Sequence, residues 1–199
     1  MLTLLLLQVA AAQTAVDAER AFNAAAQSKG QWTAFREFMT DDAVVFTPQP
    51  VRAKETLPEK NPSIAVQWWP AESYVSCDGS VAVNTGPWVR PRANGYFTTV
   101  WVRQPNGGYK WVYDGGDQLA VPRPLPEKPR VVRASCGGRP EIDMGGCLSD
   151  TNTGCYAATD HSLQVHWSWM AGKRSFSVAI WTGHGWKTVL ENIVTERAE

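Results

Sequence analysis

Histidine is scarce. The 199 residues contain three, His161, His166 and His184, and none falls between residues 13 and 120. The commonest general base and metal ligand is therefore missing from the larger part of the chain. His161 and His166 stand five apart on or near a strand, which is poor ligand spacing, and His184 sits in a Gly-x-Gly turn, so all three read as exposed turn or strand residues. Charge is also sparse. Charged residues make up 19%, and 19 basic side chains cancel 19 acidic ones. A nucleic-acid binder needs a basic surface to offset phosphate, and none is available. No C-x-x-C pair is present to hold zinc, and Asp143, Asp150 and Asp160 lack the spacing of a calcium loop. Glycine-rich phosphate cradles, G-x-S-x-G elbows and Cys/His nucleophile pairs are absent too. No metal and no cofactor is expected. The one long apolar run, Met1 to Ala12, is too short to span a bilayer.

That run ends in an Ala-x-Ala site (Ala10, Ala12) before Gln13, the back half of a secretory signal peptide without its basic start. A periplasmic or secreted location is expected, and no cysteine follows the cleavage site to carry a lipid. Cys77, Cys136, Cys147 and Cys155 suit that compartment and can pair in three ways. Cys147 and Cys155 would close a short Gly/Ser/Asn-rich loop, which leaves Cys77 for Cys136 and ties the tail to the rest. Apolar residues make up 44%, enough for a core, and ten of them are tryptophans. Large amphipathic rings fill cores and also line apolar pockets. Sixteen glycines and thirteen prolines suit a β-rich chain with many turns.

Thr14 to Lys29 reads as a helix, capped by Thr14 with Asp17 three residues on and ended by Gly30. A short helix follows with Trp32, Phe35 and Met39 on one face, then a strand from Ala43 to Thr47 stopped by Pro48. Pro58 and Pro62 break residues 50–65. Strands are predicted at Gln67 to Ser76 and Val81 to Arg90, the latter bent at Gly86-Pro87. Gly95 to Gln104 and Tyr109 to Asp114 form a hairpin around Pro105-Asn106-Gly107-Gly108. If Gln104 opposes Tyr109, one face carries Tyr96, Thr98, Val100, Val102, Tyr109, Trp111 and Tyr113 and turns towards the helices. The other carries Phe97, Thr99, Trp101, Arg103, Lys110, Val112 and Asp114 and needs cover from a partner subunit or from the tail. Residues 121–130 form a stiff proline-rich linker. Beyond it, residues 131–199 form a small β appendage, whose strands at 163–169, 175–181 and 186–194 make an antiparallel meander.

Ala18 to Phe22, Phe38 to Phe46, Trp69-Pro70, Cys77 to Trp88 and Thr99 to Trp111 together resemble the SnoaL-like branch of the nuclear transport factor 2-like (cystatin-like cone) superfamily, and within it exported domains of unknown function. The likeness covers about residues 13–120 and implies an α+β fold, a cone-shaped curved antiparallel sheet wrapping the N-terminal helices. This fold hosts isomerases, cyclases, dehydratases, binding modules and assembly domains. The ketosteroid isomerase pattern, set on this chain, puts the base position at Thr47 and the oxyanion tyrosine near Phe22, so both functional groups are missing.

Carboxylates remain. Asp41, Asp42 and Asp78 fall in turns. Asp114 and Asp117 flank Gly115-Gly116 where a cone's mouth should lie, and Asp114 is the best candidate base, although the parity above turns it outward. Thr47, Trp69, Asn84, Trp88, Tyr96, Trp111 and Tyr113 are candidate lining residues of a pocket for a flat, weakly polar ligand; a filled core is the alternative. The expected function is that of an exported, non-catalytic cone-fold domain binding a small hydrophobic molecule or a protein partner. The alternatives are a lyase, isomerase or cyclase using a carboxylate and tyrosine hydroxyls, and a scaffold that forms a homodimer through the outer sheet face.

Overall fold

The first helix starts where its capping residues predict. In the computed structural model, which describes residues 13–138, 140, 152–170 and 172–195, α1 runs from Ala15 to Lys29. The Asp17 N–H donates to Thr14 Oγ1 at 3.1 Å and the Thr14 N–H donates to Asp17 Oδ2 at 3.2 Å, so two orphan donors of the first turn are satisfied. Gly30, at φ +101°, separates α1 from α2 (Gln31–Phe38), and a Cβ there would meet the Asn61 side chain at 2.3 Å. The cleavage-site reading and residues 141–150, with Cys147, Asp143 and Asp150, lie outside the described residues.

The chain is α+β. Strands β1 (Met39–Phe46), β2 (Pro50–Arg52), β3 (Gln67–Trp68), β4 (Glu72–Val75), β5 (Val81–Arg90), β6 (Ala93–Arg103), β7 (Tyr109–Gln118) and β8 (Arg130–Arg133) form one sheet; α3 (Ala53–Thr56) follows β2. Its order is β2-β1-β7-β6-β5-β4-β8, with β3 also paired to β5. The sheet is mixed, because β1 runs parallel to β7 and β4 parallel to β8. A second, antiparallel sheet contains β9 (Thr153–Ala157), β10 (Leu163–Met170), β11 (Lys173–Trp181) and β12 (Trp186–Thr195), so the expected three-strand meander gains a fourth strand.

The first sheet is apolar on both faces, and each face has its own cover. On one side α1 and α2 pack Ala18, Phe22, Ala26 and Ala34 against Met39, Trp68, Ala82, Phe97, Trp101, Tyr109 and Trp111 of the sheet. Phe22 is the centre of this core, with ring centroids of Phe35, Trp68, Phe38, Trp101 and Trp111 between 4.8 and 6.4 Å away. On the other side Tyr74, Val81, Val83, Val100, Val112 and Tyr113 meet Leu163, Val165, Trp167, Phe176, Val178 and Ile180 of the second sheet. That face, expected to need a partner subunit or the tail, is taken by the tail. Hydrogen bonds tie the two sheets as well. Asn192 Nδ2 donates to Thr98 Oγ1 at 3.1 Å, and the Cys77 and Asp78 N–H groups donate to Ser162 Oγ and Asp160 Oδ2, both at 2.8 Å.

The hairpin register differs from the expectation. Arg103, not Gln104, opposes Tyr109, and Trp101 opposes Trp111, so Trp101 lies against α1 rather than on the far face. The Gln104 N–H donates to the Gly108 carbonyl and the Gly107 N–H to the Gln104 carbonyl, with Gly107 at φ +83°. This loop, one residue longer than expected and with glycine in the left-handed position, shifts the pairing by one residue. The register slips again at Val112, because Val100 opposes Tyr113. Val112 and Tyr113 then both face the second sheet, and Asp114 turns to the helix side opposite Thr99.

Cys77 and Cys136 form a disulfide across 59 residues, tying the β4–β5 turn to the segment after β8. Cys155 is disulfide-bonded as well. Replacing Cys77 and Cys136 by serine is expected to lower the unfolding free energy by about 2–4 kcal/mol. Urea titration of the double variant checks this; an unchanged midpoint would contradict it.

Candidate functional site

Helices α1 and α2 cover only part of the sheet, and a cavity of about 590 Å³ lies where they stop. Trp32 and Phe35 of α2, Val45 and Phe46 of β1, Leu57 after α3, Val66 and Trp68 make most of its wall. Trp88 and Arg90 of β5, Tyr96 and Phe97 of β6 and residues 114–118 of β7 close it. The wall is largely aromatic and aliphatic, which is the composition of a small-molecule site with few polar groups.

The bulge in β7 brings Asp114 to this cavity. Its Oδ2 accepts a hydrogen bond from Thr99 Oγ1 at 3.0 Å. Burial pushes its pKa up from 3.8 to about 7, against the Thr99 hydroxyl and the Arg174 guanidinium, which pull it down. Arg174 arrives from β11 of the second sheet. Its guanidinium lies 4.6 Å over the Phe46 ring, and Nη2 donates to the Gly116 carbonyl. Gly116 has to be glycine, because a Cβ there would lie 2.0 Å from the Tyr96 carbonyl oxygen. Arg90 stands 5.6 Å over the Trp88 ring.

Behind the cavity floor a second carboxyl is fully enclosed. Glu19 of α1 is 0% exposed. It accepts from Trp68 Nε1 at 2.7 Å, from Trp101 Nε1 at 2.7 Å and from Asn84 Nδ2 at 3.2 Å. Burial raises its pKa from 4.5 to about 8; the indole and amide donors oppose that rise and the nearby Asp114 adds to it.

Of the seven predicted lining residues, Thr47, Trp88 and Tyr96 line the cavity. Trp111 lies beneath it, fully buried and stacked on Phe22. Asn84 is buried on Glu19 and donates to the Ala15 carbonyl at 2.8 Å. Tyr113 faces the second sheet, 4.7 Å from Phe176, and Trp69 sits at the β3–β4 break, its N–H donating to the Pro87 carbonyl. Phe22, in place of the isomerase tyrosine, is core. Asp41 pairs with Lys54 at the surface, and Asp78 is held by Ser76, Ser80 and the Asp160 N–H in a turn. Glu19, Arg174 and the α2 residues were missed. For Glu19 a signal existed: it falls on the same helical stripe as Ala15, Ala18, Phe22 and Ala26, where a carboxylate needs internal partners. Among the described residues no group of three or more His, Cys, Asp or Glu side chains could hold a metal ion, and no helix is long and apolar enough to cross a membrane.

Comparison with known proteins finds no family model, no curated protein and no solved structure that matches this chain.

A carboxyl whose pKa is higher folded than unfolded holds its proton more tightly in the folded state. Its contribution is most favourable below the unfolded value and fades as pH rises towards the folded one. With Glu19 raised from 4.5 to about 8 and Asp114 from 3.8 to about 7, the melting temperature should fall steadily from about pH 5 to about pH 8. Glu19→Gln should flatten much of that slope. Calorimetric scans of both proteins check this, and an equal slope in the variant would contradict it.

Proposed function

We propose that the chain is an exported binding protein whose cone-like domain holds a small hydrophobic molecule. The supporting observation is the cavity of about 590 Å³ walled by Trp32, Phe35, Phe46, Trp68, Trp88 and Phe97. Apolar surface in such a wall gains about 25 cal/mol for each Å² of water-exposed area it buries with a ligand. The volume is that of a site for a drug-sized molecule rather than for a peptide chain. The Cys77–Cys136 disulfide fits an oxidising compartment, in line with the apolar run and the Ala-x-Ala site at the start of the chain. Membership of the SnoaL-like branch remains part of the proposal, supported by the helix–helix–strand start and by the run of antiparallel strands from β4 to β7.

A catalytic reading has one observation in its favour: Asp114 faces the open cavity with a pKa of about 7, where a general base works well at neutral pH. A lyase, isomerase or cyclase of this kind would exchange the α-protons of a bound ketone with solvent deuterium, and Asp114→Asn would abolish that exchange. Binding without Asp114-dependent exchange is the outcome the primary reading expects.

The neutral fluorophore N-phenylnaphthylamine should brighten on adding the protein and saturate at one site. Leu57→Trp, which fills the cavity wall, should weaken that binding at least about tenfold, a loss of about 1.4 kcal/mol, while leaving the melting temperature close to that of the parent. Equal binding by parent and variant would place the fluorophore elsewhere and contradict the reading.

A further inference from the structure

The cavity contains two groups of opposite charge that do not pair with each other. Asp114 of β7 and Arg174 of β11 both line it, yet the ion pairs among the described residues are Lys29–Glu37, Lys54–Asp41 and Arg130–Glu72. Asp114 uses one oxygen to accept from Thr99, and no hydrogen bond from the described residues reaches the other. Arg174 places its guanidinium over Phe46 and donates from Nη2 to the Gly116 carbonyl. A guanidinium carries five N–H donors in a planar fork. A cation in an apolar wall is costly until an anion meets it.

The surroundings decide which ligand group completes this pair. Around Asp114 stand Glu19 from α1, Thr99 from β6, Tyr113 from its own strand and Arg174 from β11; Tyr96 and Asp117 line the cavity further along, and Arg90 lies at the far end of β5. α2 and the end of β1 offer only Gln31, Trp32, Phe35, Phe46 and Thr47, which carry no charge. A ligand ammonium would meet the Arg174 guanidinium and would need Asp114 ionised in a place where burial favours the neutral acid. A ligand carboxylate would accept from the Arg174 fork with one oxygen and from the Asp114 O–H with the other, leaving neither buried group unmatched. A neutral ligand would leave the Arg174 charge unanswered.

We propose that the molecule held in this cavity is an apolar monocarboxylic acid, its carboxylate set between the Arg174 guanidinium and the carboxyl group of Asp114 and its hydrocarbon body among the aromatic side chains of α2, β1 and β5. This rests on the cavity being a small-molecule site. It also makes the site a joint product of both sheets, because the anion-binding arginine comes from the C-terminal one.

The test compares three probes with one ring system: naphthoate, naphthylmethanol and naphthylmethylamine, titrated into the full chain by calorimetry. At about pH 6 naphthoate should bind at least about tenfold more tightly than naphthylmethanol. Its affinity should fall about tenfold by about pH 8, because Asp114, with a pKa of about 7, must take up a proton to donate. Naphthylmethanol should show no such fall. Asp114→Asn, a permanent donor, should hold naphthoate affinity level over that range. Arg174→Gln should weaken naphthoate at least about tenfold and leave naphthylmethanol within about twofold. Strongest binding by naphthylmethylamine, rising with pH, would overturn the proposal, and so would equal binding of all three with no pH dependence. Equal binding would leave the cavity reading standing, whereas no binding by any probe would overturn both. The probe ranking and its pH profile use the unaltered chain, so they decide the matter even if a variant fails to fold.

Discussion

One side chain, Glu19, holds the helical layer to the sheet. Its carboxyl is enclosed and takes hydrogen bonds from Trp68 of β3, Trp101 of β6 and Asn84 of β5, so four elements meet at a single polar point in an otherwise aromatic core. Leaving either indole N–H without its acceptor would cost about 1–3 kcal/mol. The same contact sets how α1 sits over the sheet, and Phe22, one turn on, carries the ring cluster beneath the cavity. The acid at this contact is kept mostly neutral because it is buried.

The rest follows from a sheet that is apolar on both faces. Helices cover one face incompletely and leave the cavity; the C-terminal sheet covers the other and sends Arg174 round to the cavity wall. The tail therefore supplies both a hydrophobic cover and a cation in the cavity wall. The proline-rich connection takes part in this cover: Arg123 lies 3.8 Å over the Tyr96 ring and reaches Asn192 of β12 at 3.3 Å.

Local signals were legible in the sequence and relational ones were not. Thr14, Asp17 and Gly30 mark the ends of α1 because capping chemistry lies within a few residues of each end. The Gly95–Gln104 and Tyr109–Asp114 strands were visible from composition. Their facing was not, because Phe97 to Val102 carries no charge and puts one threonine and two apolar side chains on each face, so no alternation can be read. The one-residue change of loop put Trp101 on the helix side with Trp111, and the bulge at Val112 turned Asp114 to that side as well. Trp68 and Trp69 are adjacent, and only the break between β3 and β4 decides which one lines the cavity. Arg174 contacts a carbonyl 58 residues earlier, a pairing that no local pattern announces.

The bulged strand turns a carboxyl of raised pKa into an open apolar cavity. The most direct measurement is a carbon-13 NMR titration of the side-chain carboxyl of Asp114, with and without N-phenylnaphthylamine. This account predicts a midpoint near 7 that moves upward when the neutral probe displaces water from the cavity. A midpoint at the ordinary aspartate value of about 4, unmoved by the probe, would contradict it.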